Sequence, residues 1–275
     1  MPIVNRFRDL GSHVCMNKTR FAPTPTKRIR KAIGMTKRLG MMRLTKNRKT
    51  EIIQVNILPA ALYGMETSNI STKAMKNLRS ASVSCIRPVR CRRSPTIVFE
   101  VGSYGKELDP EVQQLVRKVT LLRRVVAKHP KQVVKVKLIM EMYIRVNKKG
   151  MQTDQEATEL DGRCMGPVGL LRQELHKIGA TLDGKFCIRQ EGETIIDMMS
   201  TPWQPIKDFI ENAAKRSRMQ KSINSRPFMG SSHKFDSVAF DQATKHRTDK
   251  DMSVIRYSTT GAHWSAKHLQ ETGRK

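Results

Sequence analysis

A mainly α protein is predicted by three features of the 275-residue sequence. Apolar residues recur every three or four positions over long stretches, prolines and glycines stand where helices would begin and end, and strand-like patterning is confined to one short stretch near residue 190. The organisation expected is an N-terminal segment (1–26), a basic helical bundle (27–150), a small α+β module (151–216) and a largely irregular or disordered tail (217–275).

"KRIRKAIGMTKRLGMMRL" (27–44) sets Ile29, Ile33, Leu39 and Met42 near one face and Arg30, Lys31, Lys37 and Arg38 around the other, an amphipathic basic helix. Gly34 and Gly40 each weaken it by about 1 kcal/mol relative to Ala, so it depends on packing or on a bound polyanion. "TKNRKTEIIQVNILPAALYG" (45–64) continues with Ile53, Ile57, Ala60 and Ala61 at helical spacing. Pro59 removes a backbone donor and predicts a kink, and Gly64 predicts the helix end. A further helix starts at Ser71 as N-cap and carries Met75, Leu78 and Ser82 on one side.

"LDPEVQQLVRKVTLLRRVVAKHP" has Asp109 as N-cap, Pro110 at the first helical position and Pro130 just past the end, with Val112, Leu115, Val119, Leu122 and Val126 as its buried face. This is too short for a coiled coil and reads as a helix packed on its own domain. "GPVGLLRQELHKIG" (166–179) predicts a short helix with Leu171, Leu175 and Ile178 inward, and "KFCIRQEGETIIDM" (185–198) predicts a two-stranded hairpin turning at Glu191-Gly192. Pro205 opens a last helix lined by Ile206, Phe209, Ile210 and Ala213; from about 217 to 260 no regular structure is predicted.

Charge narrows the function classes. The formal net charge is +28, and residues 1–93 hold 21 Lys and Arg against 3 Asp and Glu, whereas residues 151–212 are net acidic. Self-repulsion on that scale calls for an anionic partner, and nucleic acid is the partner expected. The phosphate contacts are assigned to Lys27, Arg28, Arg30, Lys31, Lys37, Arg38, Lys46, Arg48 and Lys49. Phe7, Phe21 and Tyr63 are the only aromatics of residues 1–93, which favours backbone contact over a platform of stacked bases.

Other classes are argued against. No Gly-rich phosphate loop, Gly-x-Ser-x-Gly or His-Glu-x-x-His occurs, and no two aspartates are adjacent anywhere in the chain, so no catalytic residues are assigned. Cys85 and Cys91, and His263 and His268, lack zinc spacing, and Asp249 and Asp251 read as a solvated loop; no metal and no cofactor is expected. No apolar run spans a membrane, and no small-molecule substrate is indicated. Five cysteines without a secreted-type framework fit a reducing compartment, nuclear or cytoplasmic, while the Arg- and Thr-rich start, with Asp9 its only acid before Glu51, also fits a mitochondrial presequence.

"FRDLGSHV" (7–14), "RIRKAIGMTKRLGMMRLTKNRKTEII" and "ILPAALYGMET" (57–67) together resemble the region just downstream of the catalytic palm in reverse transcriptases of non-LTR, LINE-type retrotransposons. The matching residues are Phe7, Leu10 and Gly11 at a primer-grip-like strand and turn; Arg28, Ile29, Lys31 and Ala32; Lys49 and Thr50; and Pro59, Leu62, Tyr63, Gly64, Glu66 and Thr67. Asp9 replaces the family's aromatic before Leu-Gly, and Ser68 its frequent Trp after Glu-Thr. The resemblance is close over 5–86 and looser for residues 166–198 and 259–273.

It implies that residues 5 to 90 or so are the thumb, making 27–150 a thumb-like domain that holds template–primer nucleic acid, an RNA or RNA–DNA duplex, by its backbone, with Tyr63 closing the bundle core and Gly64 stopping the helix. The family's paired aspartates would lie upstream of residue 1. The chain is therefore expected to be a C-terminal fragment of an RNA-directed DNA polymerase, catalytically incomplete alone, with Mg2+ serving only the complete enzyme. The competing reading is a basic structural RNA-binding protein, such as an organellar ribosomal component, with residues 1–30 as a cleaved presequence.

Overall fold

The computed structural model describes residues 6–9, 12–15, 23–67, 70–86, 95, 98–99, 107–150, 166–190 and 195–223, with side chains described for most of these. The chain divides into two compact units built from interleaved segments. The first comprises Met1–Ile29, Ala61–Met75 and Pro110–Ser217, and the second Arg30–Ala60, Lys76–Asp109 and Arg218–Lys275. The described residues are mainly helical, with small antiparallel sheets.

In the first unit, β1 (Arg6–Asp9) pairs antiparallel with β2 (Ser12–Cys15), Phe7 opposite Val14 and Asp9 opposite Ser12. Leu10 and Gly11 lie outside the described residues. The main core is built on α5 (Pro110–Lys128), α6 (Pro130–Gly150) and α7 (Pro167–His176), which pack pairwise. Val112, Leu115, Val119, Leu122 and Val126 are all buried, as their spacing predicts, and α5 ends one residue before His129. Leu171 and Leu175 from α7 join them.

A three-stranded sheet in the order β3 (Ala180–Leu182), β4 (Cys187–Gln190), β5 (Ile196–Asp197) follows, with Leu182 opposite Ile188 and Ile188 opposite Ile196. β4 and β5 are the two predicted strands; Glu191 and Gly192 lie outside the described residues. β3 was not expected, because three residues are too few to show a period of two. Its turn into β4 is held by Asp183, whose Oδ1 accepts from the backbone of Lys185 and Cys187 at 2.9 and 2.8 Å and whose Oδ2 pairs with Arg189 at 3.0 Å. Phe186 takes φ 62° there with its ring buried in the core.

The last helix, α8 (Trp203–Ile223), places Ile206, Ile210, Ala213 and Ala214 inward, with Phe209 half-buried. It starts two residues before Pro205, which is tolerated because the first-turn amides have no intrahelical partner. It also continues past residue 217 to Ile223, correcting the expectation of irregular chain over 217–223; residues 224–275 lie outside those described.

The second unit takes most of α1 (Pro23–Met41), all of α2 (Lys46–Ile52), a π-helical turn (Ile53–Ile57), the start of α3 (Leu58–Leu62) and the larger part of α4 (Thr72–Ile86). Thr45 caps α2, its hydroxyl accepting from the Arg48 amide. The kink expected at Pro59 takes the form of the π turn: Leu58 donates its amide to the Ile53 carbonyl, five residues back, giving room for a ring that would otherwise press on the preceding turn. On α4, Leu78 and Ser82 are fully buried as predicted. Met42, expected inward, is exposed beyond the end of α1.

Candidate nucleic-acid interface

Helix α1 sorts its side chains into two stripes. Ile29, Ala32, Thr36 and Leu39 are buried, and the Thr36 hydroxyl is satisfied by the Ala32 carbonyl at 2.8 Å. Lys27, Arg30, Lys31, Lys37 and Arg38 are exposed. At 100° per residue these five, with Gly34 and Met41, fall within about a third of the helix circumference, and Lys27 to Arg38 spans about 16 Å of axis. No acid occurs in α1, and among the described residues none of these five cations has an acidic partner. Arg43, which the sequence assignment omitted, is exposed just beyond the helix and unpaired among the described residues.

The remaining assigned cations stand differently. Arg48 is exposed but forms an ion pair with Glu51 at 2.6 Å, and Lys46 is half-buried. Lys49 is 8% exposed, and its ammonium donates to the Gly40 carbonyl at 2.8 Å. It closes one of the carbonyls that the end of α1 leaves without an intrahelical donor. Gly40 approaches α4 so closely that a Cβ would stand 3.6 Å from the Cys85 Cα. Burial pushes the Cys85 thiol up, against the opposing pull of the Lys49 charge. In place and partners, Lys49 is part of the second unit's interior.

Arg28 belongs to the first unit with Tyr63. Its guanidinium lies 5.2 Å from the Tyr63 ring centroid and also donates to the Tyr63 carbonyl. Tyr63 is 53% exposed, so it does not close the bundle core as the resemblance implies. Leu62 and Met65 on either side of it are fully buried instead. Gly64 does end the helix, with φ 69° at the position after the C-cap, where a side chain would be strained. Glu66, the acid of the matched motif, stands 3.7 Å from Arg117 on α5.

A buried ionic cluster in the second unit had no signal in the sequence. Asp109 is 1% exposed and accepts from Arg79 at 3.0 Å and Arg218 at 3.3 Å, while Arg218 also pairs with Glu107 at 3.1 Å. The Arg79 guanidinium lies 5.7 Å from the Phe99 ring centroid. Burial raises the Glu107 carboxyl, and the Arg218 charge beside it only partly opposes this. In the first unit, Lys118 on α5 is likewise buried and paired with Glu174 of α7 at 2.6 Å.

Among the described residues no group of three or more His, Cys, Asp or Glu side chains is placed to hold a metal ion, and no helix is long and apolar enough to cross a membrane. Cys85 is a free buried thiol; Cys91, His263, His268, Asp249 and Asp251 lie outside the described residues. No protein-family model, no curated protein and no solved structure matches the chain.

Proposed function

We propose that this protein is a nucleic-acid-holding module of the reverse-transcriptase thumb kind, related to non-LTR retrotransposon polymerases, that grips an RNA or RNA–DNA duplex by its phosphate backbone. The observation that carries the reading is the exposed stripe of Lys27, Arg30, Lys31, Lys37 and Arg38 on an acid-free helix. Cations that have no acidic partner among the described residues and are aligned over about 16 Å match the closely spaced charges of a duplex, and binding releases condensed counterions. The ordered matches from Phe7 to Thr67 supply the family assignment.

The role is holding and not polymerisation, because a two-metal phosphoryl transfer needs paired carboxylates that none of the 275 residues supplies as adjacent aspartates. The test is fluorescence anisotropy with an RNA–DNA hybrid across a salt series. With about six phosphate contacts, from the five stripe residues and Arg43, affinity falls roughly a thousandfold between about 50 and 200 mM salt. A flat response overturns the reading.

A further inference from the structure

Tyr63 is an exposed aromatic, 53% accessible, whereas Phe99 and Phe186 are buried and Trp203 and Phe209 are half-buried. Leaving a large ring in water forgoes the gain of burying it, which Leu62 and Met65 on either side do obtain. The ring is also held in place. Gly64 fixes the backbone turn, and Arg28 both bonds the Tyr63 carbonyl and lays its guanidinium over the ring. Lys27, exposed on the preceding residue of α1, adds a second positive charge next to Arg28 in the sequence.

An aromatic that is exposed, immobilised and backed by a guanidinium is suited to one ligand class. A nucleobase has a π-face to stack on the ring and brings a phosphate that the adjacent cations attract. Phosphate contact alone would need no aromatic here. We propose that Tyr63 stacks one unpaired nucleobase, so that the protein prefers a duplex ending in an unpaired nucleotide over a blunt one. This rests on the nucleic-acid reading above and adds the element of the ligand that the lysines and arginines do not contact.

The test uses the full chain and three RNA–DNA hybrids: blunt, with one unpaired terminal nucleotide, and with that nucleotide made abasic so that the phosphate remains and the base is gone. Wild type is expected to bind the unpaired end about tenfold more tightly than the abasic end. Tyr63→Ala should abolish the difference and Tyr63→Phe should keep it, with the same salt slope for all three proteins. Equal affinity of wild type for the abasic and intact ends, with a steep salt slope, overturns the stacking site and leaves the backbone-binding reading intact. No salt-sensitive binding to any of the hybrids overturns both.

Discussion

Lys49 donates its ammonium to the Gly40 carbonyl at 2.8 Å, and it is the one buried cation between residues 27 and 49. A charge-assisted bond to a part-buried carbonyl contributes about 1.5–3 kcal/mol, and its loss leaves the end of α1 uncapped. Lys49→Met is expected to destabilise the fold by that amount in urea titrations. The salt slope of nucleic-acid binding should be unchanged when measured where the variant is folded.

The opposite profile is expected on the exposed stripe. Replacing Lys31, Lys37 and Arg38 by Gln removes three charges that have no acidic partner among the described residues, so stability changes by no more than about 0.5 kcal/mol per site. Binding weakens, and the log–log salt slope becomes shallower by about one for each residue replaced. Anisotropy titrations at several salt concentrations measure both quantities.

Two glycines should respond with opposite signs. Gly34 lies on an exposed helix face with no heavy atom within 4 Å of an added Cβ, so Gly34→Ala stabilises by about 1 kcal/mol through helix propensity. Gly64 has φ 69°, and Gly64→Ala costs about 1–2 kcal/mol by forcing a Cβ into the left-handed region. Chemical denaturation of both variants checks the pair.

Glu107 gives a pH dependence of defined sign. Its carboxyl is raised by burial above the ordinary value, so between that value and the raised one the folded state holds more protons than the unfolded state. Its contribution to stability therefore falls as pH rises through the window and is regained as pH drops. Arg218 and Asp109 are the charged groups beside it. Glu107→Gln removes the titration, so the variant should gain stability relative to wild type as pH is raised from about 4.5 towards neutrality. Urea unfolding at a series of pH values measures this; a difference that does not change with pH contradicts it.

The long helices were legible because their signals are local and repeated. The face from Val112 to Val126, the glycine after Tyr63 and the pair Leu78 and Ser82 all follow from spacing within one turn or a few. What was missed depends on neighbours distant in sequence. Lys37 and Lys49 are chemically identical letters, and only the position of Gly40 makes one of them interior. Asp109 meets Arg218 across 109 residues, and no pattern in either segment announces the pair. The core position of Tyr63 is what the resemblance to the thumb implies, and no spacing in this sequence argues for it. The structure turns it outward because Gly64 reverses the chain there and Met65 takes the interior position. Helix α8 outruns its prediction because polar residues after 217 weaken the apolar rhythm without breaking the helix.

Among the described residues, the main core of the first unit draws its members from between Val112 and Ala214, with none from the basic helix α1. Amide hydrogen exchange should report this as separate cooperative units. The backbone amides of Val119, Leu175, Ile188 and Ile210 are expected to exchange slowly whether or not a polyanion is present. Those of α1, whose exposed side repels itself and contains a glycine, should be protected more strongly as phosphate neutralises the charge. A ligand would then leave its mark as a change in protection along one helix, with the centre of the α5–α7 core unaffected.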